Sequence, residues 1–267
     1  MLHPFSLWAL GHNRIHHRYT NLRPHDYPWV PFSKVEFERL PAWRQTLERI
    51  YRTVPGQALY YIVEIWWKKM FFPNRREVSE RKAVYFWDSL LVAIYLAGLS
   101  VVLIAAGRAF GKGAMESMFF GWLVPFYVWN WLLNFVIYQQ HTHPAVAWHD
   151  HEAEWEYMEA QIDASPHFRF PRLVGFILHN IMEHTAHHAA TSIPLYRLKK
   201  AQAALERAYP GRVKVIDWTW AGYRDAVHRC KLYDYRRHVW QDFEGRDTTA
   251  PTVQRQSLKC ASLLIPP

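Results

Sequence analysis

Sixteen histidines stand in the chain, and eight of them fall into three tight groups. The first is His12, His16 and His17 in LGHNRIHHRYTN. The second is His141 and His143 in YQQHTHP, and the third is His184, His187 and His188 in EHTAHHAA, with His179 one helical turn upstream in LHNIMEH. Imidazole is the commonest protein metal ligand and serves zinc, iron, copper and nickel. At about 100° per residue, His184, His187 and His188 lie within about 100° of a helix circumference and can address one metal-sized volume. His12 and His16 share a face, with His17 turned further round, which suits a helix end or a pair of metals. His143, next to Pro144, suits a role in ordering a turn. His3, His25, His149, His151, His167, His228 and His238 read as solvated or structural.

The remaining chemistry narrows by elimination. HExxH, the zincin signature, does not occur. Structural zinc favours cysteine, and the two cysteines, Cys230 and Cys260, lie far from the histidine groups in sequence. A carboxylate-rich di-iron bundle needs Glu-x-x-His, and no glutamate here has a histidine three residues on. What is left is a nearly all-histidine site with more ligands than one metal takes, hence two metals. For that, the first and third groups must converge although about 170 residues separate them.

Two apolar runs are long enough to hold such a site at a membrane. Val84–Ala106 has 23 residues with Asp88 as its one charge, and Ser117–Tyr138 has 22 with none. About 20 apolar residues cross a hydrocarbon core. Pro125 should kink the second run, and Asn130 and Asn134 should share a face turned toward protein. Lys and Arg number 14 in residues 1–83, two in 107–116 and 16 in 139–267. Basic segments stay cytoplasmic, so both histidine-bearing portions and both termini are expected there. Residues 58–72 are too short to span and read as an interfacial helix. A net charge of +9 suits nucleic acid or anionic lipid, and 14 tryptophans with two spans favour the lipid and no nucleic acid. Half the residues are apolar, which excludes a disordered chain. The expected fold is all-α: an integral membrane helical hairpin under a cytoplasmic, histidine-rich, two-metal cap. Residues 1–245 form the domain, and 246–267 form a C-terminal tail without regular structure.

GHNRIHHRYTN with Asp26 and Trp29, YQQHTHPAVAWH with Glu154 and Trp155, Asp163, LHNIMEHTAHH and IPLY at 193–196 together resemble the membrane fatty acid desaturases, specifically the omega-6 (delta-12) acyl-lipid type. The resemblance runs from about residue 8 to about residue 205. It implies two irons held by three histidine boxes. His12, His16 and His17 look like the second box, His184, His187 and His188 like the third, and His141 and His179 like ligands outside the boxes. It further implies O2 as co-substrate and a membrane-lipid acyl chain as substrate; neutral imidazoles need partners that orient them, for which Asp26, Asn134, Asp163 and Glu183 are candidates, Asp163 foremost because it matches the family pattern. No CxxC run, dinucleotide fingerprint or haem motif is present, so a separate donor, ferredoxin-like or cytochrome b5-like, is expected to deliver electrons. The family's first box, His-x(3–4)-His, lies upstream of the second and has no counterpart before His12. The expectation is a chain lacking that N-terminal part and, alone, of little or no activity. A hydroxylase with a similar site and an inactive desaturase-like protein are the alternatives.

Overall fold

A computed structural model describes residues 2–73, 78 and 83–252. The chain opens with α1, helical over Phe5–Ala9 and continuing as a π-helix over Leu10–His16. Two short helices follow, α2 (Lys34–Arg39) and α3 (Ala42–Tyr51). Ser33 starts α2 with a reciprocal cap: its hydroxyl accepts from the Glu36 backbone N–H while the Glu36 carboxylate accepts from Ser33 N. Helix α4 runs over Gln57–Tyr60 and on through the π-helical Tyr61–Phe71. It is too short to span, as expected. Tyr60, Tyr61, Ile65, Trp66 and Met70 nevertheless point into the protein core, so it is more than a helix lying on lipid.

Among the described residues, helices α5 (Ala83–Ala109) and α6 (Ala114–His141) are the two elements long and apolar enough to cross a membrane. No residue of α5 is buried, whereas α6 is buried along one face from Asn130 to His141. Small residues bring the two together: Gly107 lies against Ser117, and Gly121 against Leu103. Pro125 stands at the start of the α-helical part of α6 (Val124–His141), directly after a π-helical stretch, Phe119–Leu123. Its missing N–H removes one ladder bond, and the wider turn absorbs the defect. The one acidic residue of α5 is also accounted for: the Asp88 carboxylate accepts from Ser6 N and ties α5 to α1.

The C-terminal half consists of short helices, α7 (Tyr157–Ile162), α8 (Arg172–Ile177), α9 (His184–Ala189), α10 (Leu198–Ala208) and α11 (Trp220–Arg229). The all-α expectation needs correction here. Strand β1 (His167–Arg169) pairs in parallel with β2 (Val215–Asp217), and β3 (Leu232–Asp234) pairs antiparallel with β4 (Val239–Gln241). Three-residue strands are too short for alternation to stand out in a sequence. The tail expected from residue 246 also begins later. Gly245, at φ +85°, reverses the chain, and Thr248 and Thr252 donate backbone N–H groups to Trp240 O and His238 O. The rest of the expected tail, 253–267, lies outside the described residues.

An aromatic core joins these pieces. Trp29 stacks on Tyr60 at 3.8 Å and meets Tyr138 of α6 edge-on at 4.7 Å. Trp29, Trp148 and Trp240 are fully buried, so part of the tryptophan excess serves the core rather than a membrane interface. The Asn130/Asn134 face does turn toward protein, both residues being fully buried. Asn134 accepts from Trp29 Nε1 at 2.9 Å and donates to Gln57 O at 2.9 Å, locking α4 to α6 below the apolar part of the helix.

Candidate metal centre

Three elements converge on one point: the end of α1, the end of α6 and helix α9. In α1 the π-helical backbone decides the outcome. His17 N donates to His12 O, an i→i+5 bond. Each π turn takes nearly one residue more than an α turn, so His12, His16 and His17 swing onto one face. On an α-helix His17 would have been turned away.

The result is two adjoining groups. His16, His141, His184 and His188 form the first and are all buried. His17, buried, with His12 and His187, half-buried, forms the second. Within each group one ligand nitrogen per residue lies within 4.8 Å of all the others. That is close to the ~4.2 Å between opposite ligands of one metal at 2.0–2.1 Å. The His141 and His184 Nε2 atoms stand 3.1 Å apart, as do those of His17 and His187. His17 and His188, ring centroids 4.3 Å apart, join the groups. The first and third sequence clusters therefore both divide: His16, His184 and His188 go to the buried group, His12, His17 and His187 to the other.

The far nitrogens of three rings of the buried group are held by acceptors, while His184 Nδ1 is buried without a hydrogen-bond partner among the described residues. His16 Nδ1 is 2.8 Å from Asp26 Oδ1, and the Asp26 carboxylate also accepts the backbone N–H groups of Asn21 and Tyr27. His141 Nδ1 is 3.2 Å from Asn21 Oδ1, and His188 Nδ1 is 2.9 Å from Gln161 Oε1. A carboxylate or amide oxygen at Nδ1 fixes the proton there and leaves the Nε2 lone pair facing inward. His188 Nε2 is buried without a hydrogen-bond partner among the described residues. Leaving such an atom unpaired costs about 1–3 kcal/mol, which a bound cation would recover.

Electrostatics agree with neutral ligands. Burial, reinforced by the neighbouring imidazoles, lowers His12 to about 3 and His187 to about 4. The same causes push His17, His184 and His188 well below the usual histidine range. Above these values each ring offers a lone pair and carries no charge to repel a cation.

Four candidates lie elsewhere. His179 is exposed, at φ +52° in the turn after α8. The helical spacing that linked it to His184 fails because α8 stops at Ile177 and α9 starts only at His184. Asp163 forms an ion pair with Arg212 at 2.9 Å instead of orienting an imidazole. Asn134 holds Trp29 and Gln57, as described above. Glu183 stands at the first position of the α9 boundary without a side-chain capping bond, and burial raises its carboxyl above the usual range. His143 accepts from Ala145 N and orders the turn after α6. Sequence reasoning missed Asn21, Gln161 and Thr20, whose hydroxyl lies 3.1 Å from His188 Nδ1. Thr20 and Asn21 sit inside the quoted RYTN string, but Gln161 carries no local signal.

Beside the buried group runs an apolar cleft lined by Trp8, Tyr27, Tyr61, Ile65, Met70 and Ile137, which ends on His12, His16, His141 and His184. Trp8 stacks flat on His12 at 4.7 Å.

Comparison with known proteins supports the same assignment. Residues 1–220 match the model of the fatty acid desaturase family. The chain is 26% identical over 235 residues to an sn-1 oleoyl-lipid 12-desaturase of Picosynechococcus sp., covering 88% of this chain and 64% of that protein. It is 28% identical over 242 residues to an sn-1 oleoyl-lipid 12-desaturase of Synechocystis sp., covering 88% and 64%. To the chloroplastic omega-6 fatty acid desaturase of Glycine max it is 26% identical over 239 residues, covering 90% and 54%. The chain thus spans between about half and two thirds of the length of these relatives. With a family match over most of its length and the histidine-rich centre inside that match, the chain belongs to the fatty acid desaturase family.

Proposed function

We propose that the protein takes part in the O2-dependent desaturation of fatty acyl chains in membrane lipids, with two iron ions bound by the histidine groups. The observation that supports this most is the pair of adjoining groups, four and three histidines, at the end of an apolar cleft. An acyl chain offers no polar handle and strong C–H bonds, so a cofactor must carry the oxidation. Bound iron supplies that oxidising power by activating O2. The protein's own part is positional. Asp26, Asn21 and Gln161 hold the Nδ1 protons of His16, His141 and His188 and keep the opposite lone pairs inward. Tyr61, Ile65 and Met70 present an apolar wall against which an extended chain can lie with water excluded. Helices α5 and α6 fix the site at the membrane, with the histidine-bearing portions and both termini on the cytoplasmic side. Electrons come from a separate ferredoxin-like or cytochrome b5-like protein.

The test is fatty-acid analysis of a host that makes monounsaturated lipids, supplied with such a donor. The chain is expressed alone and joined to the upstream portion of a cyanobacterial relative. The joined form is expected to raise polyunsaturated chains, and His188→Ala is expected to abolish them while leaving the protein in the membrane. A hydroxylated product in their place would overturn desaturation. No product from a joined form shown to be folded and iron-loaded would do the same.

A further inference from the structure

Helix α8 has an unusual surface. Leu173 and Phe176 are each 71% exposed and Ile177 63%, while Gly175, in the middle of the helix, is buried. The helix is therefore turned inside out, with its backbone against the protein and its large apolar side chains outward. The next exposed apolar pair, Leu195 and Tyr196, belongs to the short turn preceding α10. The two stretches are neighbours in space, because a side chain grown on Gly175 would meet Lys199 Nζ at 3.8 Å. Exposed charges within 171–200 are of one sign: Arg172, Arg197, Lys199 and Lys200, with the single acid, Glu183, buried. Apolar groups flanked along 171–200 by exposed cations and no exposed acid match a lipid surface with anionic headgroups.

The position in the fold fits the same occupant. Phe170, just before α8, stacks on Trp218 at 4.6 Å and touches Phe135 of α6 at 6.5 Å. Trp220, still 46% exposed, also meets Phe135. Phe135 lies where α6 passes from exposed apolar residues, Trp129 and Leu132, into the protein. The patch is thus tethered at the level where α6 leaves its apolar stretch.

We infer that α8 and the 195–200 segment form a second membrane contact: Leu173, Phe176, Ile177 and Tyr196 dip into the cytoplasmic headgroup region, and Arg172, Arg197, Lys199 and Lys200 bind anionic lipid. This rests on the reading that α5 and α6 lie in a membrane. The contact orients the cap and steadies the loop leading into and out of α9, which carries three of the histidines.

The experiment places an environment-sensitive fluorophore on single cysteines at Phe176→Cys, Tyr196→Cys and, as reference, Ile94→Cys in α5. The background is Cys260→Ser, with buried Cys230 retained. Each protein is reconstituted in phosphatidylcholine vesicles with or without phosphatidylglycerol. Lipid-borne quenchers sit just below the headgroup or at the end of the acyl chain. The expected result is strong quenching of positions 176 and 196 by the shallow quencher only, greater with phosphatidylglycerol, and of position 94 by the deep one. If 94 is quenched while 176 and 196 emit as in water, the surface contact is refuted and the spans stand. If 176 and 196 emit as in an apolar site but no lipid quencher reaches them, protein covers the face and the inference fails. If 94 is not quenched, the spans fail and this contact with them.

Discussion

Replacing Asp26 by asparagine isolates the role of one carboxylate. Asp26 Oδ1 faces His16 Nδ1 at 2.8 Å and Tyr27 N at 2.9 Å, and Oδ2 faces Asn21 N at 2.8 Å. The carboxylate thus accepts from three N–H groups in a buried pocket. An amide has one acceptor oxygen. Wherever its NH2 is placed it meets a backbone donor, Tyr27 N or Asn21 N, and the placement that faces His16 also drives the imidazole proton from Nδ1 to the metal-facing Nε2. A hydrogen bond to a charged group contributes about 1.5–3 kcal/mol. Removing such a partner of a metal-binding histidine costs about 10–100-fold in metal affinity, or about 1.4–2.8 kcal/mol at 1.4 kcal/mol per decade. The two ranges agree. Anaerobic ferrous titration of the detergent-solubilised protein should therefore show one class of site weakened 10–100-fold in Asp26→Asn. The second class, centred on His12, His17 and His187, should change much less. Folding is checked by circular dichroism. Wild-type affinity at both sites in a folded Asp26→Asn protein would refute the reasoning.

Other predictions follow from the same structure. Asn21 sits at φ +56°, which glycine tolerates, so Asn21→Gly should keep the backbone but remove the acceptor of His141 Nδ1. About tenfold weaker metal binding is expected at the buried group, with an unchanged circular dichroism spectrum. Asn134→Leu strips partners from buried Trp29 Nε1 and Gln57 O and should cost about 1–3 kcal/mol for each, read as a lower thermal midpoint in detergent. Burial lowers His3 and His149 from 6.5 to about 4. Between those values the unfolded chain takes up protons that the folded chain refuses. Stability is therefore whole above pH 6.5 and should fall by up to about 1.4 kcal/mol per pH unit for each histidine as pH drops toward 4, measured by thermal unfolding of the metal-free protein. A cysteine at Lys112→Cys, in the loop between α5 and α6, should label from the side opposite the termini. Labelling from the same side would overturn the two-span arrangement.

Much of the centre was legible because its ligands come from local patterns. His184, His187 and His188 fall on one face of an ordinary α-helix, so their spacing alone placed them together. His12, His16 and His17 were legible as a group but not as a face, because the π-helix of α1 leaves no clear mark in residue spacing. His179 was misplaced for the opposite reason: a left-handed turn at His179 and Asn180 interrupts a periodicity that looked continuous. Partners of the imidazoles were harder still. Asp26 lies close to His16 in sequence and was found. Gln161 reaches His188 from a separate helix, a contact made only by tertiary packing. Asp163, adjacent to that helix, points instead at Arg212. The two long apolar helices were visible from length and composition. The three-residue strands were not, since β1 finds its partner 48 residues away.

We propose that the seven converged histidines hold two metal ions. Metal analysis of the protein loaded anaerobically with ferrous iron and freed of excess tests it directly, alongside His188→Ala and His187→Ala. The account predicts two irons per chain in the unaltered protein. It predicts that His188→Ala depletes the buried ion and that His187→Ala depletes the other. Folded protein that retains no iron, or the same iron content in all three forms, would contradict it.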